Sequence, residues 1–161
     1  MSVGYSAFTV KANGIANSLK TQIWIKSEND SCEVDALWDT GATGSCISEE
    51  VAKRLGLVST GMCAIKTPSG TLDVAMYLVD IQLPNNVLLK DVVVMESKIG
   101  DQGLGALIGM NIINAGDFAV TNHNGKTVFS YVIPSMKSID FVPMALTQNQ
   151  VGLSHKKKTK H

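Results

Sequence analysis

Residues 36–45 read Ala-Leu-Trp-Asp-Thr-Gly-Ala-Thr-Gly-Ser, and this stretch departs from the pattern around it. Asp39 directly follows an apolar run and is followed by a turn rich in glycine and threonine. At the edge of a core, backbone N–H groups of such a turn can hold an ionised carboxylate. Two interpretations are open at this point: a reactive carboxylate, or an aspartate that caps a turn and does no chemistry.

The sequence around this stretch is dominated by apolar residues that alternate with polar ones, which is typical of β-strands. Residues 23–25 and 34–38 flank a polar turn at 28–31 and predict a hairpin. Residues 62–66 and 72–83 flank a Pro-Ser-Gly turn and predict a second, longer hairpin. Three further segments predict another strand and a final hairpin, namely 87–95, 118–120 and 127–132.

Helical signals are few and short. Ser48 is a good N-cap, Glu49 and Glu50 suit the positive end of a helix dipole, and Gly56 follows the apolar face, so we expect a helix over 48–55. Residues 110–115, closed by a glycine, predict a second short helix, and 135–146 one more strand. The sequence therefore predicts an all-β protein with one or two short helices.

The composition is that of an ordinary globular domain. The 161 residues are 45% hydrophobic and 17% charged, and a chain of this length fills about one core. The longest apolar runs fall far short of the ~20 residues of a membrane span. The first 20 residues show no secretory signal. We therefore expect a cytoplasmic protein with no membrane partner.

Charge is distributed unevenly along the chain. Basic and acidic side chains number fourteen each, but four lysines lie within residues 156–160 and leave the remainder acidic. The body has no basic stripe of the kind that binds a phosphate backbone, so nucleic acid is not an expected partner. Residues 155–161 contain no apolar side chain, and we expect 147–161 to be a disordered basic tail.

Three cysteines, Cys32, Cys46 and Cys63, match neither a zinc pattern nor a redox pair in their spacing. A nucleophilic cysteine would need a histidine, and His123 is the only one before the tail. We expect reduced thiols, no metal and no cofactor.

A second motif lies at residues 106–113, Ala-Leu-Ile-Gly-Met-Asn-Ile-Ile, beyond the long hairpin centred on Ser69. The order of parts is a hairpin, an Asp-Thr-Gly-Ala loop, a second hairpin, and two apolar residues with Gly leading into a short helix. This order resembles the retropepsin-like aspartic proteases over roughly residues 21–133. The resemblance implies a closed β-barrel or sandwich in which the second hairpin is a flap over the substrate.

The resemblance assigns roles residue by residue. It makes Asp39 the catalytic carboxylate, Thr40 the hydroxyl that braces the active-site loops across a dimer axis, and Gly41 and Ala42 the rest of the loop. It makes Ile108, Gly109 and Asn111 a structural motif. The substrate would be held by the flap and by pocket walls: Leu37, Thr67, Pro68, Ser69, Gly70 and Leu107.

The mechanism implied by the resemblance uses two carboxylates that share one proton. Only Asp39 is followed by Thr-Gly, and none of the other aspartates is followed by Thr-Gly or Ser-Gly. The expected active species is therefore a homodimer that hydrolyses a peptide or protein substrate. Retroviral members commonly carry an Asp–Arg ion pair at the positions of Thr43 and Met110, and here both charges are missing.

The expected organisation is an N-terminal segment over 1–20, ordered in part, a protease domain over 21–146 and the basic tail over 147–161. Two other functions are consistent with the sequence. The first is a retropepsin-like dimerisation or adaptor module without catalysis. The second is a nucleic-acid-associated protein that binds through its lysine tail.

Overall fold

The computed structural model describes residues 4–67 and 70–158. Within them the chain forms ten strands and three α-helices. The strands are β1 (Ser6–Lys11), β2 (Lys20–Lys26), β3 (Ser31–Trp38), β4 (Cys46–Ser48), β5 (Gly61–Thr67), β6 (Gly70–Gln82), β7 (Leu88–Ser97), β8 (Ala106–Ile108), β9 (Asp117–Thr121) and β10 (Val128–Ile133). The helices are α1 (Glu49–Arg54), α2 (Met110–Ile113) and α3 (Phe141–Lys158). The predicted all-β fold is confirmed.

Seven strands form one sheet in the order β2-β3-β8-β4-β7-β6-β5, and β2 also pairs with β6. The pairing therefore runs in a closed circuit through six strands, and β5 extends from it as the outer arm of a hairpin. A second sheet has the order β1-β10-β9. The hairpins predicted before Asp39, after Gly56 and after Gly116 are all present.

An aromatic cluster joins the two sheets beneath Asp39. Trp38 stacks on Phe118 with ring centroids 5.7 Å apart and planes at 6°. It also contacts Tyr131 and Phe8, at 5.1 and 5.5 Å between centroids. Large aromatic side chains dominate the energetics of a core of this size. The residue immediately before Asp39 is thus anchored in the core, and Trp38 is only 4% exposed.

Helix α1 starts where the sequence predicts it. Ser48 has extended backbone angles, and its hydroxyl accepts a hydrogen bond from the Val51 N–H at 3.3 Å. The helix buries Val51 and Ala52 and ends before Leu55. Helix α2 is one turn long, and the Tyr131 hydroxyl ties it to the core by donating to the Ile112 carbonyl at 2.9 Å.

Each end of the described chain contains an element that the sequence did not predict. The N-terminal segment contributes β1, which pairs along its whole length with β10. The strand predicted within 135–146 is wrong, because helix α3 begins at Phe141 and runs through the region predicted as a disordered tail to Lys158. Asp140 caps this helix by accepting a hydrogen bond from the Val142 N–H at 2.9 Å. The prediction of a strand rested on the alternation of apolar and polar residues, which does not detect such a cap.

Candidate active site

Asp39 lies at the point where β3 leaves the sheet. Its N–H donates to the Ile108 carbonyl at 2.9 Å, which extends the pairing of β3 with β8 by one residue. The side chain is half-buried, and its Oδ1 accepts a hydrogen bond from the Gly41 N–H at 2.8 Å. Within the described residues, Oδ2 has no hydrogen-bond partner. Asp39 therefore combines a fixed backbone with a carboxylate oxygen that is available for chemistry.

The loop from Asp39 to Ser45 crosses the end of β8. Strand β8 lies between β3, with which it is parallel, and β4, with which it is antiparallel. The loop must therefore pass over the start of α2 to connect β3 to β4. The Ala42 carbonyl accepts from the Met110 N–H at 2.8 Å, and the Thr43 carbonyl accepts from the Asn111 N–H at 3.1 Å.

Gly109 is the place where this loop comes closest to the chain beneath it. A Cβ at this position would lie 2.4 Å from the Gly44 carbonyl oxygen and 2.9 Å from that of Ala42. Both contacts are shorter than real Cβ atoms show, and both involve backbone rather than a flexible side chain. The glycine of the second motif is thus required by the close approach of the Asp39 loop. This contact physically couples the Asp39 loop to the motif at residues 106–113.

Ser45 and Asn111 form a hydrogen-bond network beside this contact. The Ser45 hydroxyl donates to Asn111 Oδ1 at 2.7 Å and accepts from the Gly109 N–H at 3.0 Å. Asn111 was predicted as part of the structural motif, whereas Ser45 was not singled out. A serine just before a short strand gives no signal by itself, because its partners are more than 60 positions away.

The predicted pocket residues Leu37 and Leu107 are directly opposite each other on β3 and β8. They pack against a second apolar cluster whose buried members are Cys46, Ile99 and Leu104, and Met95 also packs there. This cluster is separate from the main core, and its half-buried members Leu37, Met95 and Leu107 form an apolar surface near Asp39. Leu37 and Leu107 were predicted from the sequence, whereas Cys46, Met95 and Ile99, which pack beside them, were not.

Cys46, in this cluster, lies close enough to Asp39 for the two side chains to interact electrostatically. Burial raises the pKa of the Cys46 thiol, hydrogen bonds with the Ser97 side chain and the Leu107 backbone lower it, and the negative charge of Asp39 raises it further. The thiol is therefore held in its neutral form and acts as an apolar group in this cluster. All three cysteines are free.

The predicted flap is the hairpin of β5 and β6. Its strands pair from Gly61–Met76 outward to Thr67–Gly70. Pro68 and Ser69 at its tip lie outside the described residues. Directly opposite residues share a face of a hairpin. The pairs Ile65–Leu72 and Cys63–Val74 therefore present an apolar face.

Thr40 follows Asp39 and is exposed. In the described parts of the chain its hydroxyl has no hydrogen-bond partner. Gly41 is exposed as well, and a Cβ on it would lie 3.1 Å from Asp39 Oδ1. The tip of the loop thus leaves both a hydroxyl and a carboxylate oxygen open to a second molecule.

Residues 4–67 and 70–158 contain no group of three or more His, Cys, Asp or Glu side chains arranged to hold a metal ion. Among the helices of these residues, none has the length and hydropathy to cross a bilayer.

Comparison with known proteins identifies the fold and the family. The family described as "gag-polyprotein putative aspartyl protease" matches residues 27–115, more than half of the chain and including both motifs. The chain belongs to this family. It is a retropepsin-like member of the aspartic proteases, as the resemblance implied. No curated protein sequence matches the chain significantly.

Solved structures similar to this retropepsin-like protein come from bacteria, viruses and a protozoan. A retropepsin-like aspartic protease from Rickettsia conorii aligns with a TM-score of 0.53 at 14% identity, over 83% of this chain and 98% of that one. EIAV protease complexed with the inhibitor HBY-793 gives 0.46 at 20% identity, over 60% and 86%. The retroviral protease-like domain of Ddi1 from Leishmania major gives 0.42 at 15% identity, over 68% and 93%. The Rickettsia structure shows that the fold is shared.

Proposed function

We propose that this protein is an aspartic endopeptidase that acts as a homodimer and hydrolyses peptide bonds with two Asp39 carboxylates, one from each chain. The observation that carries the proposal is the Asp39 loop. Its carboxylate is fixed on one side by the Gly41 N–H, and its other oxygen and the Thr40 hydroxyl have no partner within the described residues. A second copy of the same loop, related by a twofold axis, supplies the missing groups.

The chemistry follows from placing two carboxylates together. Like charges a few ångströms apart cannot both ionise comfortably, so the pair holds one proton. The ionised carboxylate takes a proton from a water molecule as it attacks the scissile carbonyl carbon, and the protonated one donates to the carbonyl oxygen. Collapse of the tetrahedral intermediate breaks the C–N bond. The nitrogen takes the proton that came from water, and a hydroxyl of the intermediate returns its proton to the other carboxylate, so the dyad again holds one proton.

The peptide would lie between the apolar surface and the flap. Leu37 and Leu107 offer a wall to an apolar side chain beside the scissile bond. The backbone of the β5–β6 hairpin offers hydrogen bonds to an extended peptide, as in the addition of a strand to a sheet. This arrangement favours extended substrates with apolar side chains flanking the cleaved bond.

The dimer would be supported without the usual ion pair. Thr43 is exposed and Met110 half-buried, and their backbone atoms are already used in the bonds between the loop and α2. Both side chains are uncharged, so neither leaves an unpaired charge at the interface. The contact between protomers would therefore depend on hydrogen bonds of Thr40 and on apolar packing.

The free cysteines are compatible with a reducing compartment, and we place the protein in the cytoplasm.

The test is a cleavage assay on a mixed library of extended peptides, with purified full-length protein whose dimeric state is measured in the same buffer. Cleavage that is abolished by Asp39→Asn and blocked by a peptide with a hydroxyl-bearing isostere at the scissile bond supports the proposal. The substitution keeps the shape of the side chain but removes its ability to share a proton. A folded dimer without cleavage of any peptide would contradict the proposal and favour an adaptor module.

A further inference from the structure

Ser45, at the end of the Asp39 loop, is the most deeply buried polar residue of that loop. The residue is 1% exposed, and its hydroxyl is used in both directions, as donor to Asn111 and as acceptor from Gly109. A buried hydroxyl is costly unless it is hydrogen-bonded. Because both bonds reach the N-terminal end of α2, Ser45 joins the end of the loop to the segment that the loop crosses.

The rest of the loop has little burial to fix its position. Thr40, Gly41 and Thr43 are exposed, and Ala42 and Gly44 are half-buried. None of them is in the main core or in the apolar cluster beside Asp39. Hydrogen bonds therefore set the height of the loop above Gly109. Most of these are backbone bonds that a substitution leaves in place, whereas those of Ser45 come from its side chain.

We propose that Ser45, through Asn111, is a positioning residue that sets where the Asp39 carboxylate stands relative to its counterpart across the dimer axis. This inference rests on the proposed function. Ser45 touches neither the substrate nor the reacting atoms. Its hydroxyl holds the loop down on α2, and that contact fixes the orientation of Gly41, whose N–H binds Asp39 Oδ1.

A misplaced carboxylate still permits the peptide to bind but slows the chemical step, because displacements of about 1 Å can cost roughly 100-fold in rate. The proposal therefore predicts a change in kcat rather than in KM. A residue that contributes only to stability would lower the amount of folded enzyme and leave the kinetics of the folded fraction unchanged.

The chain offers a matched control. Ser48 lies three residues further along the chain, at the end of β4, is 2% exposed, and its hydroxyl accepts one hydrogen bond at the N-cap of α1. Ser48→Ala thus removes a buried serine hydroxyl and lowers stability, but it breaks none of the hydrogen bonds that hold the Asp39 loop. We expect Ser45→Ala to lower kcat per folded dimer by roughly 10- to 100-fold with KM within about threefold. Ser48→Ala should stay within about threefold in both.

Asn111 provides the second half of the test. Asn111→Leu removes the acceptor and should reproduce the loss in Ser45→Ala, while Asn111→Asp keeps an acceptor and should retain most of kcat. The double variant Ser45→Ala, Asn111→Leu should lose no more than either single variant, because the two residues act as one unit. Asn114→Leu is the matched control at the C-cap of the same short helix, since the Asn114 side chain is exposed and has no partner among the described residues.

Amide hydrogen exchange at Gly41 is a readout that does not depend on activity. We expect exchange at least roughly tenfold faster in Ser45→Ala than in wild type, and unchanged in Ser48→Ala. The proposal is overturned if the two serine variants behave alike in kcat and in Gly41 exchange, or if Ser45→Ala acts through KM alone. A wild-type protein without peptidase activity would instead contradict the proposed function, while the exchange measurement would still decide whether Ser45 positions the loop.

Discussion

Gly109→Ala is the substitution whose effect is most directly determined by the structure. The new Cβ would lie 2.4 Å from the Gly44 carbonyl oxygen and 2.9 Å from that of Ala42. Neither atom belongs to a side chain that could rotate away, so the whole loop must rise. The backbone of Gly109, at φ −96° and ψ −174°, is ordinary for alanine, so the cost comes from the contact and not from backbone strain.

The magnitude has two parts. Forcing extra volume into a packed site costs about 1–3 kcal/mol. Lifting the loop also stretches the bonds from the Met110 and Asn111 N–H groups, each with a net contribution of about 1 kcal/mol. We therefore expect the free energy of unfolding to fall by about 3–5 kcal/mol, together with a loss of peptidase activity in the folded fraction, because Asp39 moves with the loop.

Urea unfolding of Gly109→Ala beside Gly14→Ala measures this effect. A Cβ at Gly14 would meet nothing within 4 Å, so the control should change stability by no more than about 1 kcal/mol. A Gly109→Ala protein with wild-type stability and activity would refute the close approach of the loop to α2, and with it the physical coupling of the two motifs.

Three further predictions concern other parts of the molecule. The Tyr77 hydroxyl donates to Glu96 Oε2 at 2.6 Å, and this bond, together with burial, raises the pKa of Tyr77 to about 12. The bond therefore stabilises the fold fully between neutral pH and pH 10 and is lost as pH rises through 12. In urea unfolding, the stability difference between wild type and Tyr77→Phe should be constant from neutral pH to pH 10 and should shrink above it. Leu107→Ala should enlarge the proposed pocket. The ratio of kcat/KM for peptides with bulkier apolar side chains to kcat/KM for peptides with smaller ones should rise roughly tenfold, and an unchanged peptide-library profile would remove Leu107 from the pocket. Because Thr43 and Met110 carry no charge, the dimer dissociation constant from sedimentation should change by less than about threefold between low and high salt, and a steep salt dependence would reveal an ion pair elsewhere in the interface.

The sequence predicted the parts of the site that depend on local chemistry. Asp39 and Gly109 could be identified because an aspartate after an apolar strand and a glycine after two apolar residues are local patterns with a recognisable order. The hairpins followed from strict alternation, and the start of α1 followed from Ser48 as N-cap.

What could not be predicted depends on contacts between distant segments. The role of Ser45 needs Asn111 and Gly109, and the place of Cys46 beside Leu37 needs the pairing of β4 with β8. Helix α3 was missed because the apolar residues near its start, Phe141, Val142, Met144 and Leu146, are exposed, so no burial against the core sets their pattern in the sequence.

The central claim is that each active site takes one Asp39 from each of two chains, and mixing wild-type protein with excess Asp39→Asn protein tests it most directly. With subunit exchange confirmed, a ninefold excess of the variant should reduce activity per wild-type chain to about one tenth, because most wild-type chains then sit in heterodimers with a single ionisable carboxylate. Dilution of wild type to the same concentration, with the dimer still intact, provides the reference. Activity per wild-type chain that does not change on addition of the variant would show that a single chain carries a complete site, and the shared dyad would be wrong.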